Sequence, residues 1–382
     1  MGYEIISGDS HIDLTWLPSD LFTSSAPAHW KDRMPRVVET EQGLRWQDSK
    51  GIELAAVGGI GSLGRDPSLY KGGEMGVDRM IATGLYEDGA AGRLRPGTPD
   101  LRIKDQELDG VDAEVLYPIL GLAKRLDDPE VTYVVYQIYN DWVAEFCKTN
   151  PQRFAGLACI PNNDPEVAAG ELRRAAKLNL RGADFAVSTA VKPLYHRDWD
   201  VLWATSAECN MPVSFHASGI FARRPDPEDV ETHGLAHRAA SLSMFQLGGF
   251  EFLGSIIFSG ACDRYPNFKF ILGECGVAWI PYFLDRMDNQ YENEFHQLNL
   301  SMKPSDFWRR PGFSTFQWEG FVADVAHLVG ENNIMWGSDY PHPDGVWPES
   351  QQYIERDLGR LEPSVRYKII CENAGKLYGF IS

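Results

Sequence analysis

Asp9 and His11 stand two residues apart just past the apolar pair Ile5-Ile6, in the stretch "IISGDSHID". An extended strand sends residues i and i+2 to one face, so Asp9, His11 and Asp13 would point the same way. That is either a polar outer face or the start of a metal site. The same residue types recur further along, each after an apolar run and before Gly, Ser or Pro. They are His216 in "MPVSFHASG", Glu274 in "FKFILGECG" and Asp339 in "NIMWGSDYPHP". Imidazole nitrogens and carboxylate oxygens are the donors of a borderline divalent cation such as zinc, and a set without cysteine is typical of a catalytic site. Such a site keeps one position open, where a bound water ionises near neutral pH or a substrate carbonyl is polarised.

Each residue alone has a blander explanation. His216 would be an ordinary strand-end histidine, and Asp339 a turn residue in "SDYP". Glu274 would pair with Arg264 or Arg286, and Asp13 would cap the next segment or support a ligand. Coincidence at strand ends is what favours chemistry. His233 and His237 share a helix face four residues apart, but Gly234 follows the first and no glutamate base accompanies them. His342 lies at the barrel mouth or in a rigid "PHP" turn.

Positioning these residues takes a regular scaffold. From residue 107 onward, short apolar segments alternate with stretches of helical periodicity, among them "PEVTYVVYQIYNDWVAEFCKTNP" and "DPEVAAGELRRAAKLNL". In the latter, Asp164 is a good N-cap and Pro165 suits the first helical position. Alternation of this kind predicts parallel strands joined by right-handed crossovers. Eight strands are predicted, ending near Asp13, Pro118, Pro161, Val187, His216, Glu274, Phe316 and Asp339. Eight is the closed-barrel number, and the C-terminal strand ends are where barrel enzymes carry catalytic groups. The fold class is therefore α/β, a (β/α)8 TIM barrel with a long insertion after the first strand. A doubly wound sheet is the alternative, weakened because no glycine-rich phosphate loop follows the first strand. Residues 1–382 read as a single barrel. Residues 30–105, rich in Gly, Pro and charge, read as an insertion or lid with a small hairpin near "GLRWQDSKG".

The chain has 382 residues, with 36 Lys+Arg against 54 Asp+Glu and a net charge of −18. Such a surface repels phosphate backbones, so nucleic acid is not an expected partner. The six cysteines form no CxxC pair and read as buried free thiols of a reducing compartment. No signal peptide is evident, and "GGFEFLGSIIFSGA", the nearest approach to a membrane span, carries Glu251. A cytoplasmic, soluble protein with a small-molecule substrate and no membrane partner is the expectation.

The stretches "DSH", "NDWVAEFCKTNPQRFAGLACIP", "GACDRYPNFKFILGECG" and "IMWGSDYPH" resemble the amidohydrolase-related family of metal-dependent TIM-barrel enzymes. Its members include decarboxylases of aminocarboxymuconate semialdehyde and γ-resorcylate, and a C–C hydrolase of biphenyl breakdown. The resemblance covers residues 1–25 and about 107–380. It implies that Asp9, His11, His216 and Asp339 hold one divalent ion, zinc first with manganese as the alternative, in a homo-oligomer. At the sixth strand the decarboxylases carry a catalytic histidine in a "GH" context, where this chain has Glu274. A carboxylate there suits a metal ligand or a base for metal-bound water. The expectation is therefore a metal-dependent hydrolase of a small carbonyl compound, aromatic or carboxylated, with Asp339, Glu274 and His216 catalytic. The alternative is a non-oxidative metal-dependent decarboxylase with Asp339 as the acid–base group. Tyr117, Phe215, Arg223, Trp318 and His342 are the expected substrate contacts. Arg223 or Arg224 would grip a carboxylate, and Trp46, Arg65 and Tyr70 of the insertion are further candidates.

Overall fold

The computed structural model describes residues 2–119, 122, 125, 126, 128–217 and 227–381. Eleven strands occur among the described residues: β1 Ile6–His11, β2 Arg36–Thr40, β3 Gly43–Gln47, β4 Glu53–Ala56, β5 Ala113–Tyr117, β6 Phe154–Cys159, β7 Gly182–Asp184, β8 Val213–His216, β9 Phe270–Gly273, β10 Gly312–Phe316 and β11 Ile334–Trp336. Eight form one parallel sheet in the order β1-β5-β6-β7-β8-β9-β10-β11. Their ends fall where the sequence predicts them.

Chain just beyond β11 closes this sheet onto β1. The Asp339 N–H donates to the Asp9 carbonyl at 2.9 Å, and the His11 N–H donates to the Tyr340 carbonyl at 2.6 Å. Gly337 makes this approach feasible, because a Cβ there would lie 2.5 Å from the Asp9 Cβ. The result is the predicted TIM barrel, with strands buried on both faces as parallel strands are.

Helices cover the barrel where local signals coincide. In Pro129–Thr149 the Asp128 side chain accepts from the N–H groups of Glu130 and Val131 at 3.1 and 3.2 Å, and Val131, Val135, Ile138 and Tyr139 face inward. Asp164 caps Pro165–Lys177 in the same way. Caps of this kind contribute about 1 kcal/mol each. The insertion carries the three-stranded antiparallel sheet β2-β3-β4, larger than the expected hairpin, and then helices Met75–Ala82 and Pro99–Asp109.

Thr232–Phe258 is helical, with a mean hydropathy of 1.3 in its most apolar window, and is long and apolar enough by composition to cross a membrane. The sequence alone suggested no such stretch. Its second half turns Phe252, Leu253, Ile256 and Ile257 into the core beside the barrel. The six cysteines are free thiols.

Candidate metal centre

Between Ser7 and Ser10 the register of β1 against β5 shifts, so β1 carries an extra residue there. Such a bulge re-aims side chains, and both Asp9 and His11 end up fully buried. The Asp9 Oδ1 stands 3.3 Å from the His11 Nε2 and 3.8 Å from the His216 Nε2. Across the closing seam, the Asp339 Oδ1 is 3.0 Å from the same His11 nitrogen. Glu274 follows β9, with its Oε2 3.7 Å from the His216 Nε2. Glu274 and Asp339 both adopt left-handed backbone, φ 52° and 58°. Non-glycine residues seldom do, and strain of this kind gathers at functional sites.

The surroundings aim these atoms inward. The Asp9 Oδ2 accepts from the Thr315 hydroxyl at 2.7 Å and the Glu274 N–H at 3.1 Å, which leaves Oδ1 without a hydrogen bond. The His216 Nδ1 lies 3.2 Å from the Ala217 carbonyl, which places the proton there and leaves Nε2 as a lone-pair donor. The His11 Nε2, the His216 Nε2 and both Asp339 carboxylate oxygens are likewise buried without hydrogen-bond partners. Donors about 2.0–2.2 Å from a tetrahedral ion stand roughly 3.3–3.6 Å apart, and the separations here bracket that range. Asp9, His11 and His216 therefore fit one divalent ion, and Asp339 adjoins them through His11.

Asp13 and His342 complete the cluster. The His342 ring stacks on His11 with centroids 4.0 Å apart, its Nδ1 3.1 Å from Asp339 and its Nε2 2.7 Å from the Asp13 carboxylate. Arg102, wholly buried, donates to the His11 carbonyl at 2.8 Å and to Glu114 at 2.6 Å, bracing the end of β1.

The carboxyls and imidazoles of the centre shift one another. Burial opposes ionisation of Asp9, but His11 and His216 outweigh it and hold the carboxyl below its usual range. Asp339 is also lowered, by His342 and His11 against the effect of burial. Burial and His342 press His11 down, yet Asp339 and Asp9 raise it from 6.5 to about 9. Burial, reinforced by Asp339 and Asp344, pushes Glu274 well above the ordinary carboxyl range. Burial also raises Asp184, at the end of β7, to about 7.

A cavity of about 1050 Å³ opens over the centre, with His216, Glu274, His342 and Asp184 in its floor. Arg65 lines it, as sequence suggested. Tyr117 sits beneath the ligands, fully buried, its hydroxyl 2.9 Å from the Ser214 hydroxyl and its ring 5.0 Å from His216. Phe215 corrects its expected role: neighbours along a strand face opposite ways, so it points outward onto Trp203 and Phe252. Trp318 is half exposed outside the cavity lining, its indole N–H donating to the Asp344 carbonyl. Trp46 packs on Phe22, and Tyr70 bonds to Glu74 and Asp78. Arg264 pairs with Asp200, so it does not partner Glu274. Arg223 and Arg224 lie outside the described residues. Sequence reasoning missed Thr315, Asp184 and Arg125. The first two sit in predicted strands and were open to the same strand-end argument.

Comparison with known proteins follows this geometry. A γ-resorcylate decarboxylase from Polaromonas sp. is 26% identical over 281 residues, spanning 69% of this chain and 84% of the relative. An amidohydrolase from Mycobacterium avium subsp. paratuberculosis superposes with a TM-score of 0.75 at 20% identity, over 99% of this chain and 100% of that one. A dihydroxybenzoic acid decarboxylase from Polaromonas sp., solved with bound manganese and the inhibitor 2-nitroresorcinol, has a TM-score of 0.61 at 23% identity, over 80% of this chain and 93% of that one. Curated relatives that match this chain are named as decarboxylases, which overturns the expectation of hydrolysis drawn from Glu274. Replacing a strand-end histidine by a buried carboxyl did not carry the weight that expectation placed on it. The model of the amidohydrolase family matches residues 95–380, and with the barrel and its strand-end donors this enzyme belongs to the amidohydrolase family.

Proposed function

We propose that the protein is a non-oxidative decarboxylase of an aromatic or unsaturated carboxylic acid, dependent on one divalent ion at Asp9, His11, His216 and Asp339. The observation that carries the reading is the convergence of Asp9, His11 and His216, with Asp339 against His11, their facing atoms unpaired, in a chain whose curated relatives are named as decarboxylases. Two nitrogens and two carboxylate oxygens suit zinc or manganese. When bound, such an ion supplies concentrated positive charge and open positions for oxygen donors of the substrate.

The remaining chemistry belongs to the protein. Loss of carbon dioxide from R–COO⁻ requires one proton to arrive at the carbon that bore the carboxylate. Asp339, backed by His342 and Asp13, is the acid–base group for that transfer. Glu274, whose carboxyl burial pushes above the ordinary range, is the second group placed to carry a proton.

The test is carbon dioxide release from a panel of hydroxylated aromatic acids by the metal-loaded protein. Release that disappears on chelation and returns with zinc or manganese is the expected result. A metal-loaded protein that cleaves an ester or lactone but releases no carbon dioxide from any acid would overturn the reading.

A further inference from the structure

The cavity is larger than the metal centre requires, and its walls differ in character. About 1050 Å³ lies at the top of the range of pockets that enclose drug-sized ligands. One wall comes from the insertion, with Leu63 and Met75, and another from the helix Pro227–Met244, with Leu235 and Leu242. Their exposures are 62%, 77%, 83% and 56%. Four large apolar side chains at the mouth of one cavity mark a surface that an apolar ligand covers.

Three arginines line the same space: Arg65, Arg125 and Arg238. Glu74 neutralises two of them, holding Arg65 through two hydrogen bonds of 3.0 and 2.9 Å and Arg238 through one of 3.0 Å. Arg125 differs. It is partly buried, its guanidinium donates to the Leu54 carbonyl, and no carboxylate among the described residues lies within ion-pair distance of it. Burial pulls its pKa down against the opposing charge of Asp13. The chain carries 54 acidic residues, so a guanidinium that faces a cavity with no carboxylate partner among the described residues is not explained by scarcity of partners. A partly desolvated cation with free donors is recovered when a ligand anion meets it, and guanidinium grips a carboxylate through two parallel hydrogen bonds.

We propose that Arg125 binds an anionic group of the substrate, and that the substrate is an amphipathic acid whose apolar frame is longer than one benzene ring. This rests on the reading that the cavity over the metal centre is the substrate site. The frame lies against Leu63, Met75, Leu235 and Leu242, and Arg125 sets the preference for an acid over its neutral analogue.

The experiment is titration calorimetry on the metal-loaded protein with benzoate, biphenyl-4-carboxylate and biphenyl-4-carboxamide. Biphenyl-4-carboxylate is expected to bind at least about tenfold tighter than benzoate. Arg125→Met is expected to weaken the biphenyl acid at least about tenfold while leaving the amide within about twofold. Arg125→Lys recovers part of the loss. Arg125→Gln, which keeps a donor for the Leu54 carbonyl, shows the same loss as Arg125→Met if charge is the cause. Arg93→Met, at an exposed arginine paired with Asp88, leaves all three affinities unchanged. Equal weakening of acid and amide by Arg125→Met and Arg125→Gln overturns the assignment of Arg125, and benzoate binding as tightly as the biphenyl acid overturns the extended frame. Arg125-dependent binding without carbon dioxide release from any acid keeps this inference and sinks the decarboxylase reading. Turnover with binding indifferent to Arg125 does the reverse.

Discussion

At the scale of single residues, the centre depends on groups that fix the ligands as much as on the ligands. Thr315 occupies one oxygen of Asp9 and leaves the other facing His11 and His216. Thr315→Val keeps the shape and removes the hydroxyl, so metal affinity is expected to fall about 10–100-fold with little change in thermal stability. Competition with a chelator of known affinity measures it, and unchanged affinity would mean Thr315 only packs. Glu274→Gln keeps size and removes the proton. On the present account its turnover falls at least about tenfold while one ion stays bound, which metal analysis beside single-turnover rates resolves. Asp9, His11, His216 and Asp339 stood out in the sequence because each follows an apolar run, and the barrel brings donor atoms of the first three within 4.8 Å of one another. Phe215 was misplaced by proximity to His216, although strand alternation already forbade both from facing one cavity. The Asp13–His342 contact was not readable, since 329 residues separate the partners and only the closed barrel brings them together.

At the scale of elements, two junctions support the site. Where β11 meets β1, Gly337 lets the chain pass over Asp9. Gly337→Ala would force the seam apart, and a loss of about 1–3 kcal/mol is expected, seen as a lower Tm together with weaker metal binding. The other junction joins the insertion to the C-terminal helices. Asp109, at the end of the helix Pro99–Asp109, accepts from the Ser350 N–H at 2.9 Å and the Ser350 hydroxyl at 2.5 Å, at the start of the helix Ser350–Leu358. Burial raises its pKa to about 7, against about 4 for a free aspartate. Between those values the folded protein holds a proton that the unfolded chain has released. Stability therefore falls as pH rises from about 4 to 7, by up to ~4 kcal/mol from this group. Asp109→Asn removes the effect, and the variant is expected to match or exceed the wild type at pH 8. Thermal melts from pH 5 to 8 check it, and parallel pH profiles for the two proteins would contradict it. Strand and helix positions were legible from apolar runs, caps and prolines. The layout of the insertion was not, because its short elements take their places from long-range bonds such as Arg102 to the His11 carbonyl.

At the scale of the whole molecule, a net charge of −18 surrounds a site read here as taking a carboxylate. Repulsion slows the approach of an anion and is screened within about 10 Å at 0.1 M salt. Raising ionic strength from about 0.02 to 0.3 M is therefore expected to increase kcat/KM for an anionic substrate a few-fold, and a fall would show that local cations such as Arg125 dominate the approach. Closure of the barrel is also what makes one centre of residues as distant as Asp9 and Asp339, so the fold and the chemistry stand together. Metal stoichiometry tests that union most directly. After exposure to zinc or manganese and removal of free ion, the wild type is expected to retain about one equivalent per chain, and Asp9→Ala, His11→Ala, His216→Ala and Asp339→Ala each less than about 0.2, while remaining folded by circular dichroism. A wild type holding less than about half an equivalent, or four variants that bind as it does, would contradict the account.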